Sequence, residues 1–265
     1  MPAGKIFAVT TSAVSALALA APQAGVLTLV ANGVIQAICY GALIVGVLRA
    51  PEAARANVIE TGWRVWASMM VVGFFMTIVM IVITIPVSII LVAGPLATYA
   101  ADLQAAGSDQ QRVMEVMQRF MEANPVSVLV VMLFYGVIWL LLTSRLYLAA
   151  PASVDAGRIL TFETWKWTRG ATFSIAQARL MLLIPAYILM FTLSILLGRI
   201  FGFNMLDGAS LQAAASANPG GLIVFELLSS FLVLALYASL EAALSVHLYR
   251  GLKPQETPTS RPPVQ

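Results

Sequence analysis

Charge is scarce in this chain: 10% of its 265 residues are Asp, Glu, Lys or Arg, while 60% are hydrophobic. A soluble domain carries about a quarter charged residues. Too few are present to coat a globule, so most of the surface must face lipid. Cysteine is almost missing as well. Cys39 is the single thiol and lies in an apolar run, which excludes a disulfide framework and a thiolate metal site. His247 is the single histidine, and one histidine with one distant cysteine cannot make a zinc site alone. The sequence also lacks a glycine-rich phosphate loop, a paired-histidine metal helix and a GxSxG nucleophile turn. No catalytic residue, cofactor or metal is therefore expected, and the chain reads as non-enzymatic. The net charge of +3 is spread over short loops, which is not a nucleic-acid signature.

What the chain does have is long apolar runs: residues 24–48, 67–94, 126–150, 171–200 and 221–249. Each exceeds the ~18 residues a helix needs to cross the hydrocarbon layer. The runs are continuous and do not alternate, which predicts helices and not a barrel. The expected fold is all-α, a polytopic transmembrane bundle of five clear spans. Pro86 and Pro185 lie inside the second and fourth and predict a bend in each. Residues 6–21 predict a short sixth span; they reach only about 24 Å at 1.5 Å per residue. An interfacial helix or a cleaved secretory signal over residues 1–22 stays open.

Basic residues set the expected orientation. Segment 49–66 carries Arg49, Arg55 and Arg64, segment 151–170 carries Arg158, Lys166 and Arg169, and the tail carries Arg250, Lys253 and Arg261. The alternate segments 95–125 and 201–220 hold only Arg112 and Arg119. The positive-inside rule places the first three segments in the cytoplasm, with the C-terminus. Residues 1–250 then form the membrane domain, and the proline-rich stretch 251–265 is a disordered tail. Segment 108–123 reads as a connecting helix with Ser108 and Gln111 as a capping box and Glu115 paired with Arg119. Its apolar face is Val113, Val116, Met117, Phe120 and Met121.

The chain repeats itself at an offset near one hundred residues. Ala50-Pro51 recurs as Ala150-Pro151, Glu60/Trp63/Arg64 as Glu163/Trp165/Lys166, and Ile85-Pro86 as Ile184-Pro185. Two tandem units are implied, about 24–94 and 126–200, followed by a last span at about 221–249. Each has two spans, so the copies are parallel and not inverted. Tryptophan beside a cation suits the headgroup level of a membrane, so Trp63, Arg64, Trp165, Lys166, Trp167 and Arg169 are expected as interfacial anchors.

The run "RLYLAAPASVDAGRILTFETWKWTRGATF" resembles a segment of the membrane domain fused to some bacterial glycerophosphodiester phosphodiesterases. That segment shows Pro-Ala after a span, an acid, and a Ser/Thr-Trp-Arg/Lys-x-Thr-Arg-Gly run; here these fall on Pro151-Ala152, Asp155 and residues 164–170. The closing "ALSVHLYRGLKP" is similar to that family's last span and exit. The resemblance covers about residues 24–255 and implies a bacterial setting and a helical membrane architecture. The usual first span looks truncated, and no hydrolase domain follows the last span in this sequence.

Ionisable groups inside spans are functional candidates by default. Arg145, Arg179 and Glu241 lie at similar depth and could meet, with Glu226 nearer the outer end of the last span. Two readings stand: a polar pocket for an anionic headgroup or proton-linked solute with the arginines as its binding side, or a structural charge cluster that fixes helix register. Gly33, Ala37 and Gly41 form a small-residue packing face in the first long span. Asn32, Gln36 and Tyr40 make a polar stripe beside it, which Thr77, Thr84 and Ser88 could answer from the next span. The expected function is lipid or envelope association, or scaffolding, in the bacterial inner membrane. The partners are membrane lipids, with a protein partner or second copy of the chain, and no nucleic acid. The alternative is a small secondary transporter or permease-like component with its site at the repeat seam. A transporter would have a cavity lined by both arginines; a scaffold would fill that space with side chains.

Overall fold

The computed structural model describes residues 25–49, 57–205, 210 and 217–254. The expectations for residues 1–22, for the Ala50-Pro51 turn and for the tail beyond residue 254 lie outside the described residues. Regular structure among the described residues is entirely helical. In chain order the elements are α1 (Gly25–Leu48), α2 (Val58–Ala93), a short 3-10 turn (Ala97–Tyr99), α3 (Ala100–Ala106), α4 (Gln110–Ala123) and α5 (Pro125–Arg145). They continue with α6 (Ala149–Ala156), α7 (Glu163–Trp167), α8 (Thr172–Ile200), α9 (Pro219–Leu232), a π-helical segment (Val233–Ala238) and α10 (Ser239–Leu252).

Four of the described helical runs are long and apolar enough to cross a membrane: those of α2, α5 and α8, and the rod of α9, the π segment and α10. The fifth expected span corresponds to α1, whose described apolar part is shorter. Large apolar side chains such as Phe74, Ile81, Met132 and Ile188 are exposed on these helices, as a lipid-facing surface requires. Helix is unbroken on both sides of Pro86 and Pro185.

The chain forms two compact units, residues 71–143 and the remainder. Within residues 71–143, α4 starts one residue later than its expected cap. Asp109, and not Ser108, is the N-cap, its carboxylate accepting from the backbone N–H groups of Gln111 and Arg112. Arg119 does not pair with Glu115 but with Asp102 of α3 at 3.3 Å. Val116 and Phe120 of the expected apolar face are buried, and the Phe120 ring meets Tyr99 edge-on. Thr77 and Thr84 donate to carbonyls of their own helix, at Gly73 and Met80, so their hydroxyls return to the backbone. Tyr135 donates in turn to Thr84.

The larger unit is centred on Ala37, Ile44 and Val45 of α1, Val65 of α2, Ala150 and Val154 of α6, and Ala242 and Val246 of α10. A close helix contact there runs through Gly41, Gly62 and Ile38. A Cβ on Gly41 would lie 3.3 Å from the Gly62 Cα, and one on Gly62 would lie 2.5 Å from Ile38 Cγ1 and 2.7 Å from Ile38 Cα. Small residues let two helix backbones approach closely in lipid, where no hydrophobic force joins them. The sequence reading recognised one side of this contact, with Gly33, Ala37 and Gly41. Its other half, Gly62, is hidden inside the acid–tryptophan–cation motif.

The two stretches that carry the acid–tryptophan–cation pattern fold differently. Glu60, Trp63 and Arg64 lie in the first turns of α2, continuous with the span, and Arg64 pairs with Glu60 one turn back. Glu163, Trp165 and Lys166 make a separate helix of five residues, α7, and a new helix starts at Thr172. Thr168, buried at its C-cap, donates to the Arg145 carbonyl at 2.8 Å.

Substituting Gly62→Ala should destabilise the purified protein by about 1–3 kcal/mol, the usual cost of overpacking. Gly46→Ala, whose Cβ would meet nothing within 4 Å, should be neutral or stabilising. Thermal unfolding of the two variants in one detergent measures the contrast.

Candidate functional site

Two polar constellations stand out in the larger unit, one within the spanning helices and one at their ends. The first borders a cavity of about 540 Å3 between α1, α2 and the α9–π–α10 rod. Its polar lining is Gln36, Tyr40, Trp66, Glu226, Tyr237 and Glu241, and its apolar wall includes Met69, Met70, Val233 and Leu234. Gln36 and Tyr40 were recognised as a polar stripe, and Glu241 and Glu226 as intramembrane acids. Trp66 and Tyr237 were missed. They sit in hydrophobic sequence with no local signal, and only the packing of three elements brings them to one space.

The π segment forms part of this wall. The Val233 N–H is shared between the carbonyls of Ser229 and Ser230, and the Ser239 N–H donates to the Leu234 carbonyl five residues back. Such bulges are frequent at functional sites. Nothing in the sequence "LVLALYA" marks it, so this break in the expected continuous span is found only in the structure.

The expected cluster of Arg145, Arg179 and Glu241 is resolved into two separate arrangements. Arg179 donates to Ser144 Oγ at 3.0 Å and lies over the Tyr147 ring at 4.6 Å, within electrostatic reach of Glu241. The Tyr147 hydroxyl donates to the Glu241 backbone carbonyl at 3.3 Å. Arg145 instead lies over the Trp165 ring at 4.9 Å, and its Nη1 is buried with no hydrogen-bond partner among the described residues. Neither arginine is among the described residues that line the cavity, which include two carboxylates and no cation. Of the two readings of these residues, a polar pocket with the arginines as its binding side or a structural charge cluster, neither is decided by this cavity, whose described charged residues are acids.

The second constellation is built on Asp155. Its Oδ2 accepts from Lys253 Nζ and from the Tyr249 hydroxyl, each at 2.7 Å, and its Oδ1 accepts from Arg49 Nη2 at 3.3 Å. Arg250 adds two hydrogen bonds to the carbonyls of Val47 and Leu48 at the end of α1. The short helix α6 places this acid. Ser153 is fully buried and joins the Ala149 carbonyl to the Leu160 N–H, and Gly157 ends the helix at φ +65°. Partial burial works to lift the Asp155 carboxyl, but the hydrogen bonds from Lys253, Tyr249 and Arg49 outweigh it and hold it below the ordinary carboxylate range. The same hydrogen bonds raise Lys253 above the ordinary lysine value.

The chain matches no family model, no curated protein and no solved structure. None of these comparisons links it to a glycerophosphodiester phosphodiesterase membrane domain.

The residues expected as anchors divide into two groups. Trp63 is 58% exposed and stacks on Trp66 at 4.8 Å, and Lys166 and Arg169 are exposed. Trp165 and Trp167 are half-buried, Trp165 beneath Arg145 and Trp167 beside Tyr249 at 6.2 Å. Their rings are engaged inside the protein. Ala37 and Gly41 are buried at the helix contact.

The Asp155 cluster makes stability depend on pH. Its folded carboxyl is more acidic than the unfolded one, so its contribution is present above about pH 4 and is lost as pH falls through the folded value. Lys253 contributes below the ordinary lysine value and loses its contribution as pH rises through its raised folded value. Replacing Asp155→Asn should cost on the order of 1–2 kcal/mol near neutrality, since Arg49 and Lys253 are partly exposed. Thermal midpoints measured from pH 7 to pH 3 should fall more for the wild type than for the variant.

Proposed function

We propose that this chain is a non-enzymatic, multi-pass protein of the bacterial inner membrane that holds a lipid between its spanning helices. The observation that carries the reading is the 540 Å3 cavity, with acids, tyrosines and a tryptophan in its lining and an apolar wall of Met69, Met70, Val233 and Leu234. Ligand sites of this size are mostly apolar with a few placed polar groups. The C-terminus is assigned to the cytoplasm. Arg49, Arg250 and Lys253, from segments that the basic bias puts on one side, support this by meeting around Asp155 and the end of α1. The two spans per unit are read as tandem parallel copies, with Ile85-Pro86 and Ile184-Pro185 inside corresponding long helices.

Native mass spectrometry of the detergent-purified protein should find a retained lipid. Ala238→Phe, which fills the cavity, should reduce retention about tenfold, whereas Ala243→Phe, exposed and outside the lining, should preserve it. Absence of a lipid adduct on the wild type would overturn the proposal.

A second reading, a permease-like component, is favoured by the π break in a spanning helix where it borders the cavity, since transporter sites use interrupted helices. Cys39 lines the cavity and is the single thiol, so it reports water access. In this second reading a membrane-impermeant thiol reagent modifies Cys39 in liposomes; under lipid occupancy Cys39 stays unmodified until the lipid is stripped.

A further inference from the structure

We propose that the cavity selects its lipid by the ammonium group of a zwitterionic headgroup, received by Glu241 and the aromatic side chains of Tyr40, Tyr237 and Trp66. This rests on the lipid-binding reading above and specifies the chemistry that the same cavity selects.

Four observations carry it. Among the described residues of the lining, the charged ones are Glu226 and Glu241, with no Lys or Arg. An anionic headgroup would therefore enter without a counter-charge, at a cost that rises in the low dielectric of the membrane. The arginines that could have supplied that charge are engaged outside the lining, Arg179 over Tyr147 and Arg145 over Trp165. Three aromatic side chains line the cavity together with the acids, and an organic cation is attracted to aromatic faces and to a carboxylate at once. Tyr237 and Glu241 are four residues apart on the helical rod, and Tyr40 and Tyr237 both lie within electrostatic reach of Glu241, so the carboxylate and two rings share one part of the cavity.

Glu226 belongs to a different part of the cavity. It is fifteen residues before Glu241 on one helical rod, so the two carboxylates are about 22 Å apart along the axis and one ammonium meets only one of them. Met69, Met70, Val233 and Leu234 supply the apolar length that acyl chains need. That apolar wall, within spanning helices, assigns the cation to a lipid and not to a free amine. Arg179 lies within electrostatic reach of Glu241 and is not among the described residues of the lining.

The test uses the full chain in nanodiscs holding equimolar ethanolamine-headed and glycerol-headed phospholipids with matched acyl chains. Lipids that survive detergent extraction are counted by native mass spectrometry. The expected result is enrichment of the ethanolamine lipid by about tenfold, lost in Glu241→Gln. Tyr237→Leu keeps the carboxylate and removes one ring, and it should lower the enrichment several-fold while the protein stays folded. It decides the matter should Glu241→Gln fail to fold. Equal retention of both lipids, or a preference that survives both substitutions, overturns the ammonium assignment and leaves lipid binding standing. Retention of neither lipid overturns lipid binding itself. Displacement of the bound lipid by millimolar ethanolamine alone would show that the site takes the free amine, and would overturn the assignment to a lipid.

Discussion

A protein with so few charges must place each of them well, and Asp155 is where the placement matters most. One carboxylate receives Lys253, Tyr249 and Arg49, and so joins the end of α1, the short helix α6 and the end of α10. Within lipid, helices have no hydrophobic reason to associate, and polar contacts and close packing must supply specificity. The Asp155 cluster supplies the polar part at the ends of the helices, and the Gly41–Gly62 approach supplies the packing part between α1 and α2. Both bear on α1, and α1 is also one wall of the cavity.

Much of this was legible in the sequence because membrane helices obey a length rule that few other structures obey. The runs 67–94, 126–150, 171–200 and 221–249 correspond to helical runs long and apolar enough to cross. What the rule does not describe is how those helices meet. Gly62 carries no signal of its own in the sequence, and its role depends on Ile38, which no local pattern connects to it. Asp155 was visible only as the acid of the family-like segment, with no sign of its partners. Its worth comes from three donors that are between about 94 and 106 residues away in the chain.

The candidate site was legible in its parts and not in its assembly. Depth alone grouped Arg145 with Arg179 and Glu241, since all three are ionisable groups within spans. Depth does not fix azimuth. Arg145 turns to Trp165 of α7 and Arg179 to Tyr147 and Ser144, so two cations that a flat reading put into one pocket are each met by an aromatic face instead. The same lesson applies to the two acid–tryptophan–cation stretches. Similar residue types at similar spacing lie in one continuous helix at residues 60–64 and in a separate short helix at residues 163–166.

The π segment has a mechanical meaning for the last helix. Its wider winding accommodates about one residue more than an α-helical path of the same length would. Every side chain of α10 therefore takes its angular phase from Val233–Ala238. Were that stretch to tighten into α-helix, the residues beyond it would swing by about 100° around the rod. Glu241 would turn from the cavity, and Tyr249 and Lys253 would turn from Asp155 in the same motion. The two polar constellations thus share a single clock setting, and a register slip in one short stretch resets both.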